Sequence, residues 1–306
     1  MRGRAIDDAR MQNCNDLADL IGRLAPEDGI VETTLERVSL VRSSSRTEPV
    51  HTLYPPSICL VAQGRKQVTI SGRPFLYDPS SFLIVGIDLP VIGAVVSASP
   101  EAPFLCLRLE LDRALLSEIV TTRADMPAAE QASPLATSAA TPGLIDAAVR
   151  LLALTEDQAE AKHLAPLAER EILHRILSGP HGALLRQIAS GEGRLGQIER
   201  VVRFLRGSYR EAFAVDDLAA MAGMSLSSFH EHFRAVTTMT PLQFRNHIRL
   251  QEARRMMVMD GLTAAEAGFA VGYESPSQFS RDYVRIHQLS PKRDVARLRG
   301  QDARFG

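Results

Sequence analysis

Residues 225–241 read SLSSFHEHFRAVTTMTP, and residues 275–291 read SPSQFSRDYVRIHQLSP. The copies lie fifty positions apart and match at Ser225/Ser275, Phe229/Phe279, Phe233/Tyr283, Thr240/Ser290 and Pro241/Pro291. In each, a serine suited to an N-cap precedes aromatic residues four apart, which share one face of a helix. Each ends in Ser/Thr-Pro, the start signal of another helix.

Upstream of each copy is a short helical stretch ending in glycine: VDDLAAMAG before Gly223 and TAAEAGFAVG before Gly272. A glycine there admits the positive φ of a chain reversal. The spacing turns Leu218, Met221, Leu226, Phe229 and Phe233 inward in the first copy. Ser227, Ser228, His230, Glu231 and Arg234 then face outward. In the second copy Phe279 and Tyr283 are inward, while Ser277, Gln278, Ser280, Arg281 and Arg285 are outward. Two helices around a tight glycine turn, the second polar outside, make a helix-turn-helix whose second helix enters the major groove. Gln and Arg read adenine and guanine edges in pairs of hydrogen bonds, and Ser and Arg also hold phosphates.

The segment between the copies, Pro241 to Met259, contains no breaker and reads as one helix. At 1.5 Å per residue it spans about 28 Å. The major groove returns to the same face of DNA about every 34 Å, so this rod spaces two reading helices over successive turns.

The rest of the chain differs in character. Residues 35–112 hold short runs rich in Val, Ile, Leu and Phe, punctuated by Gly, Pro, Asp and Ser, which predict a β sandwich or barrel. In FLCLRLELD, Leu105, Leu107, Leu109 and Leu111 share one face, and Phe104, Cys106, Arg108 and Glu110 the other, which is either solvated or the lining of a polar cavity. Residues 113–187 read as helical, with a Pro-rich loop over 124–143 and a helix stop at Gly179-Pro180. The stretch 143–178 carries more apolar positions than one buried face needs and is expected to dimerise the protein. ASGEGRLG (Ala189 to Gly196) is the expected linker, with domains over 1–188 and 195–300.

Charge follows the same division: residues 194–306 hold 17 Lys+Arg and 12 Asp+Glu, a net +5, against −6 for the remainder. A basic third on an acidic remainder fits a polyanion-binding module carried by something else. Among 306 residues no apolar run reaches the length of a membrane span, and the N-terminus lacks the apolar centre of a secretory signal. Three cysteines, Cys14, Cys59 and Cys106, form no CxxC pair, which fits a reducing cytoplasm. None of the eight histidines falls between Leu53 and Asp112, so histidine-ligated metal in the barrel is not expected. No nucleophile triad or phosphate loop stands out, and neither catalysis nor a cofactor is expected.

The doubled motif resembles the AraC/XylS-type transcriptional regulators, and GYESPSQFSRDYVRIHQLSPKRD lies close to their signature. PPSICLVAQGRKQV and DLPVIGAVVSASPEAPFLCLRLELD are similar to the sensor domain of one AraC-type subfamily. The resemblance implies a multidomain chain: an N-terminal cupin-like or jelly-roll β-barrel with appended helices, then an all-α domain of two helix-turn-helix subdomains joined by a linker helix. It implies double-stranded DNA contacts from Ser227, His230, Glu231, Arg234, Ser277, Gln278, Ser280 and Arg281, partnership with RNA polymerase, and activation more often than repression. Gln288 stands where the family usually has glycine.

For a small-molecule effector, the candidates are Arg65 and Lys66 in QGRK, Arg42 and Arg46 in RSSSR, and Cys106 with Arg108. The spacing in RSSSR resembles the arginine pair with which PilZ domains grip cyclic di-GMP. An activated thiol would instead answer to aldehydes or other electrophiles. The alternative to a regulator is a cupin-type small-molecule-binding protein or enzyme whose helical tail mediates association.

Overall fold

The computed structural model describes residues 2–70, 72–122, 133–191 and 193–302. The N-terminal elements are α1 (Arg2–Leu24), β1 (Gly29–Glu32), β2 (Val38–Ser43), β3 (Val50–Tyr54), β4 (Ser57–Gln63), β5 (Arg65–Ile70), β6 (Arg73–Tyr77), β7 (Ser81–Val85), β8 (Leu89–Ser97) and β9 (Phe104–Glu110). They are followed by α2 (Arg113–Thr121), β10 (Leu135–Ala139), α3 (Pro142–Ala153), α4 (Gln158–Leu177) and α5 (Gly182–Ser190). The remainder is helical: α6 (Gly193–Gly207), α7 (Val215–Ala222), α8 (Leu226–Thr237), α9 (Pro241–Met259), α10 (Ala264–Ala270), α11 (Pro276–His287) and α12 (Pro291–Asp302). The chain divides into two compact units, one of residues 1–49, 54–87 and 93–196, the other of 50–53, 88–92 and 197–306.

The strands form a six-stranded sheet, β1-β2-β9-β4-β7-β10, and a four-stranded one, β3-β8-β5-β6. At the centre of the larger sheet Leu107 stands opposite both Leu40 and Leu60, and Leu60 opposite Phe82. All four side chains are buried. This row of large apolar side chains is the cross-strand unit that holds an antiparallel sheet. Leu105, Leu107 and Leu109 are buried as the alternation predicts, but Phe104 and Cys106 are buried as well. The second face of β9 is therefore interior at Phe104 and Cys106, while Arg108 and Glu110 are half-buried. One face of the large sheet is covered by α1, which packs on β4 and β9.

Two expectations are corrected. The stretch predicted as loop over 124–143 contains β10, paired antiparallel with β7 from Leu135↔Val85 to Ala139↔Ser81; residues 124–132 lie outside the described residues. The expected linker over 189–196 is largely helical, because α6 begins at Gly193. The apolar excess of α3 is used inside the chain: Leu144, Ile145, Ala147, Ala148, Leu151 and Leu152 are buried where α1 and α4 pack on it. Within 143–178 the leucines left exposed are Leu164 and Leu167 on α4.

In the second unit α8 and α11 each rest on aromatics. Phe229, Phe233 and Phe244 are fully buried, with ring centroids 5.4 and 5.8 Å apart along the series. Phe279 and Tyr283, 5.6 Å apart, sit with Leu250, Met257 and Val271 in the corresponding core. Burying one such ring contributes about 1.5–3 kcal/mol.

Candidate nucleic-acid interface

α8 and α11 are built by one device. Gly223 ends α7 in the left-handed region at φ 66°, with its N–H donating to Ala220 O and that of Met224 to Ala219 O. Gly272 at φ 89° ends the second turn by the same pair of bonds, Gly272 to Phe269 O and Tyr273 to Gly268 O. These paired bonds satisfy the last carbonyls of a helix, and the left-handed glycine makes the reversal. Ser225 then caps α8, its hydroxyl accepting from Ser228 N at 3.3 Å, and Ser275 caps α11, accepting from Gln278 N at 3.4 Å.

Ser227, His230, Glu231 and Arg234 are all exposed on α8, at three- and four-residue spacing along one stripe. On α11, Ser277, Gln278 and Arg281 are exposed and Ser280 is half-buried. Ser228 is half-buried, and Arg285 is held by Asp282 at 3.0 Å. Arg234 and Arg281 join no ion pair among the described residues, so both forks are open to an external acceptor. Two inward assignments are corrected: Met221 and Leu226 are 37% and 43% exposed. They occupy the helix ends flanking the turn, where Leu218, Phe229 and Phe233 already fill the interior.

α9 runs unbroken from Pro241 to Met259. Thr240 and Gln243 close a capping box at its start, each side chain bonded to the other's backbone N–H. Along its length Phe244 and Ile248 are buried toward one end, and Ala253, Met256 and Met257 toward the other. Arg249 is 8% exposed and donates to Tyr209 O at 2.6 Å, Gly272 O at 2.8 Å and Arg210 O at 3.0 Å. It thus ties the rod to the α6–α7 connection and to the second turn. Asp294 on α12, fully buried, accepts from Arg254 Nε at 2.7 Å, Tyr283 Oη at 2.7 Å and Arg297 Nη2 at 2.9 Å. These donors hold its carboxyl below the usual range although burial alone would raise it.

Sequence reasoning passed over Lys292 and Arg293, which are exposed in the first turn of α12 directly after α11. The Pro-Lys-Arg that opens this helix was the available signal, because a helix start with two cations suits a phosphate.

The effector candidates are only partly brought together. Arg42 is committed to Asp28 at 3.6 Å and to Ala25 O at 3.2 Å, while Arg46 is exposed. After the turn at Gly64, Arg65 and Lys66 begin β5 and diverge. Arg65 lies 3.6 Å from Asp78, whereas Lys66 stands over the rings of Tyr54 and Phe104. Arg108 donates to Ser39 Oγ at 2.9 Å. Cys106 and Lys66 are near neighbours, and Arg42, Arg46 and Arg65 belong to other surroundings. A separate cavity of about 410 Å³, which the sequence did not indicate, is lined by Leu35, Arg37, Val38, Leu151, Lys162 and Glu169. Arg37 holds a left-handed φ of 62° beside it, its guanidinium on the buried Glu169 at 2.9 Å. Among the described residues no cluster of His, Cys, Asp and Glu could hold a metal, and no helix is long and apolar enough to cross a membrane.

Residues 34–184 match the AraC-type transcriptional regulator N-terminus, and residues 218–297 match a helix-turn-helix domain. The chain is 28% identical over 243 residues to the transcriptional activator NphR of Rhodococcus sp, covering 76% of this chain and 68% of that one. It is 30% identical over 131 residues to the RCS-specific HTH-type transcriptional activator RclR of Escherichia coli K12, covering 43% and 40%. Unsaturated fatty acid bound ToxT from Vibrio cholerae shares the fold, with a TM-score of 0.60 over 88% of this chain and 97% of that one at 11% identity. The relatives are regulators rather than enzymes, which sets aside the enzymatic alternative. An antiparallel β domain of AraC type followed by two capped helix-turn-helix units makes this chain a member of the AraC family of DNA-binding transcriptional regulators.

Proposed function

We propose that the chain is a cytoplasmic, homodimeric activator that reads two adjacent half-sites with α8 and α11 and works with RNA polymerase. Its output responds to a small-molecule signal received by the N-terminal domain, residues 1–188, and is delivered through the double helix-turn-helix domain, residues 195–300. The observation that carries this reading is the pair of exposed polar stripes on N-capped helices at either end of one uninterrupted rod. Ser227, His230, Glu231 and Arg234 form the first reading set, and Ser277, Gln278, Ser280 and Arg281 the second. Glu231, a carboxylate near phosphates, is favourable where it accepts from a cytosine amino group. Lys292 and Arg293 add phosphate contacts. The exposed Leu164 and Leu167 of α4 supply the apolar contact of the dimer.

The test is fluorescence anisotropy of the full chain on DNA selected by the chain itself. Arg234→Ala and Arg281→Ala are each expected to weaken specific binding by about 1–3 kcal/mol and to relax base preference at one position. Lys292→Ala should weaken binding uniformly across sequences and lower the salt slope by about 1. Unchanged affinity in both arginine variants contradicts the assignment of the reading face.

A further inference from the structure

The cavity beside Arg37 follows from what α4 carries on its inner face. Inward positions recur there at three- and four-residue spacing: Ala161, Ala165 and Glu169, then Ile172, Leu173 and Ile176. The second set is large and buried and fills the space behind it. The two alanines are too short to do the same, and about 410 Å³ opens between α4, Leu151 on α3 and the β1–β2 turn at Leu35, Arg37 and Val38. That is the size of a small-molecule site. Every lining residue belongs to the first compact unit. None of the effector candidates read from the sequence lines it.

The turn that forms one wall is tied down. Thr33 Oγ1 donates to Val38 O at 2.8 Å, Val38 N–H to Leu35 O at 3.3 Å, and Glu110 N–H to Arg37 O at 2.9 Å. These bonds fix Arg37 in its left-handed conformation, which a long side chain keeps only where its surroundings dictate it. Its guanidinium then gathers the acidic groups of the region: Glu169 at 2.9 Å, Glu36 at 3.4 Å and Asp112 at 3.6 Å. Glu169 is 5% exposed and accepts from Arg37 at both oxygens, whereas the side chain of Glu36 is 89% exposed and screened by solvent.

Lys162 on the facing wall has no such partner. It is exposed and joins none of the ion pairs among the described residues. Gln158, one turn before it, and Thr34 add neutral donors to the lining, while Leu35, Val38, Leu151 and the two alanines supply an apolar floor. One uncommitted cation, neutral donors and an apolar floor suit a single carboxylate on a compact apolar body. A dianion or a phosphate would bring a second negative charge toward Glu36 and Glu169 with no second free cation to meet it.

We propose that this cavity is the effector site of the N-terminal domain, that its ligand is a small monocarboxylate with a compact apolar body, and that Lys162 is the counter-ion of the carboxylate. The site shares its helix with the exposed Leu164 and Leu167, which fall on the side of α4 away from the lining stripe. A ligand that seats the inner face of α4 therefore bears on the outer face, where the dimer contact is proposed.

The inference rests on the reading that the N-terminal domain receives a small-molecule signal, and the test separates the two. Phenylacetate and 4-methylpentanoate are titrated into the full chain by calorimetry up to about 10 mM, beside their uncharged amides, and DNA affinity is measured with and without each acid. At least one acid is expected to bind with a Kd of about 1 mM or tighter. Lys162→Met should weaken that binding by about threefold or more, and the amide should bind as weakly to the unaltered chain. Ala165→Leu, which fills the cavity, should abolish it, and a thermal melt of each variant reports whether the fold is kept. Lys162 is exposed, so its variant keeps the test decisive where Ala165→Leu folds poorly. No binding by either acid, an amide that binds as tightly as its acid, or binding indifferent to Lys162→Met overturns the site and leaves the sensory reading of the domain standing. Binding at the cavity that leaves DNA affinity within twofold overturns its role as the effector site and counts against the sensory reading itself.

Discussion

Thr238 and Gln288 close α8 and α11 in the left-handed region, at φ 68° and 59°. The sequence flagged Gln288 but not Thr238, its counterpart fifty residues earlier. A side chain there costs on the order of 1 kcal/mol over glycine, and a β-branched one no less. Thr238→Gly and Gln288→Gly are each expected to stabilise the chain by about 1 kcal/mol, read as a shifted urea midpoint; a lower midpoint contradicts the cap geometry. Two histidines act at the same scale. Burial, aided by the charge of Arg254, pushes His287 down to about 3, and burial pushes His247 down to about 4. Folded values below the unfolded one mean that the unfolded chain takes up protons first as pH falls. Their stabilising contribution is therefore whole above about pH 6.5 and is lost as pH falls from there, down to about pH 4 for His247 and about pH 3 for His287, by up to about 1.4 kcal/mol per unit per histidine. Asp294, also depressed, loses its contribution only below its ordinary range and is unchanged between pH 7.5 and pH 5. Urea midpoints at pH 7.5 and pH 5 should fall toward acid, and equal midpoints contradict the burial of both rings.

The elements of the repeat show one backbone plan filled by two chemistries. Phe233 and Phe244 pack edge to face in the first copy, and the residues fifty further on are Tyr283 and Asp294, joined by a 2.7 Å hydrogen bond. Apolar contact in one copy is replaced by a buried carboxylate with three donors in the other. Removing that carboxylate leaves Arg254, 12% exposed, without its partner. Asp294→Ala is expected to destabilise the C-terminal helices by about 3–5 kcal/mol. A hydrogen-exchange profile of α9 and α11 unaltered by Asp294→Ala contradicts this. The plan was legible in the sequence because capping serines, the turn glycines and aromatics four apart are local signals. What was not legible came from partners distant in the chain. LATSA carries no β-branched run and becomes β10 through pairing with β7. In α1 the buried apolar residues, Cys14, Leu17, Leu20 and Ile21, pack against a sheet that is far away in sequence. Met221 and Leu226 were assigned inward from spacing alone, although the interior was already full.

At the scale of the whole molecule, the sequence shows family and domain order more plainly than it shows the signal. The basic pairs Arg42 with Arg46 and Arg65 with Lys66 are separated by their partners, Arg42 held by Asp28 and Arg65 by Asp78. Lys66 and Cys106, which nothing in the sequence joined, meet across two sheets. The central claim is that α9, nineteen residues without a break, sets two reading helices one turn of duplex apart. The most direct measurement is a hydroxyl-radical footprint of the full chain on DNA it has selected. Two protected patches on one face, about 10 base pairs apart and both lost or shifted when two alanines are inserted in the middle of α9, are the predicted result. A single patch, or patches on opposite faces, contradicts it.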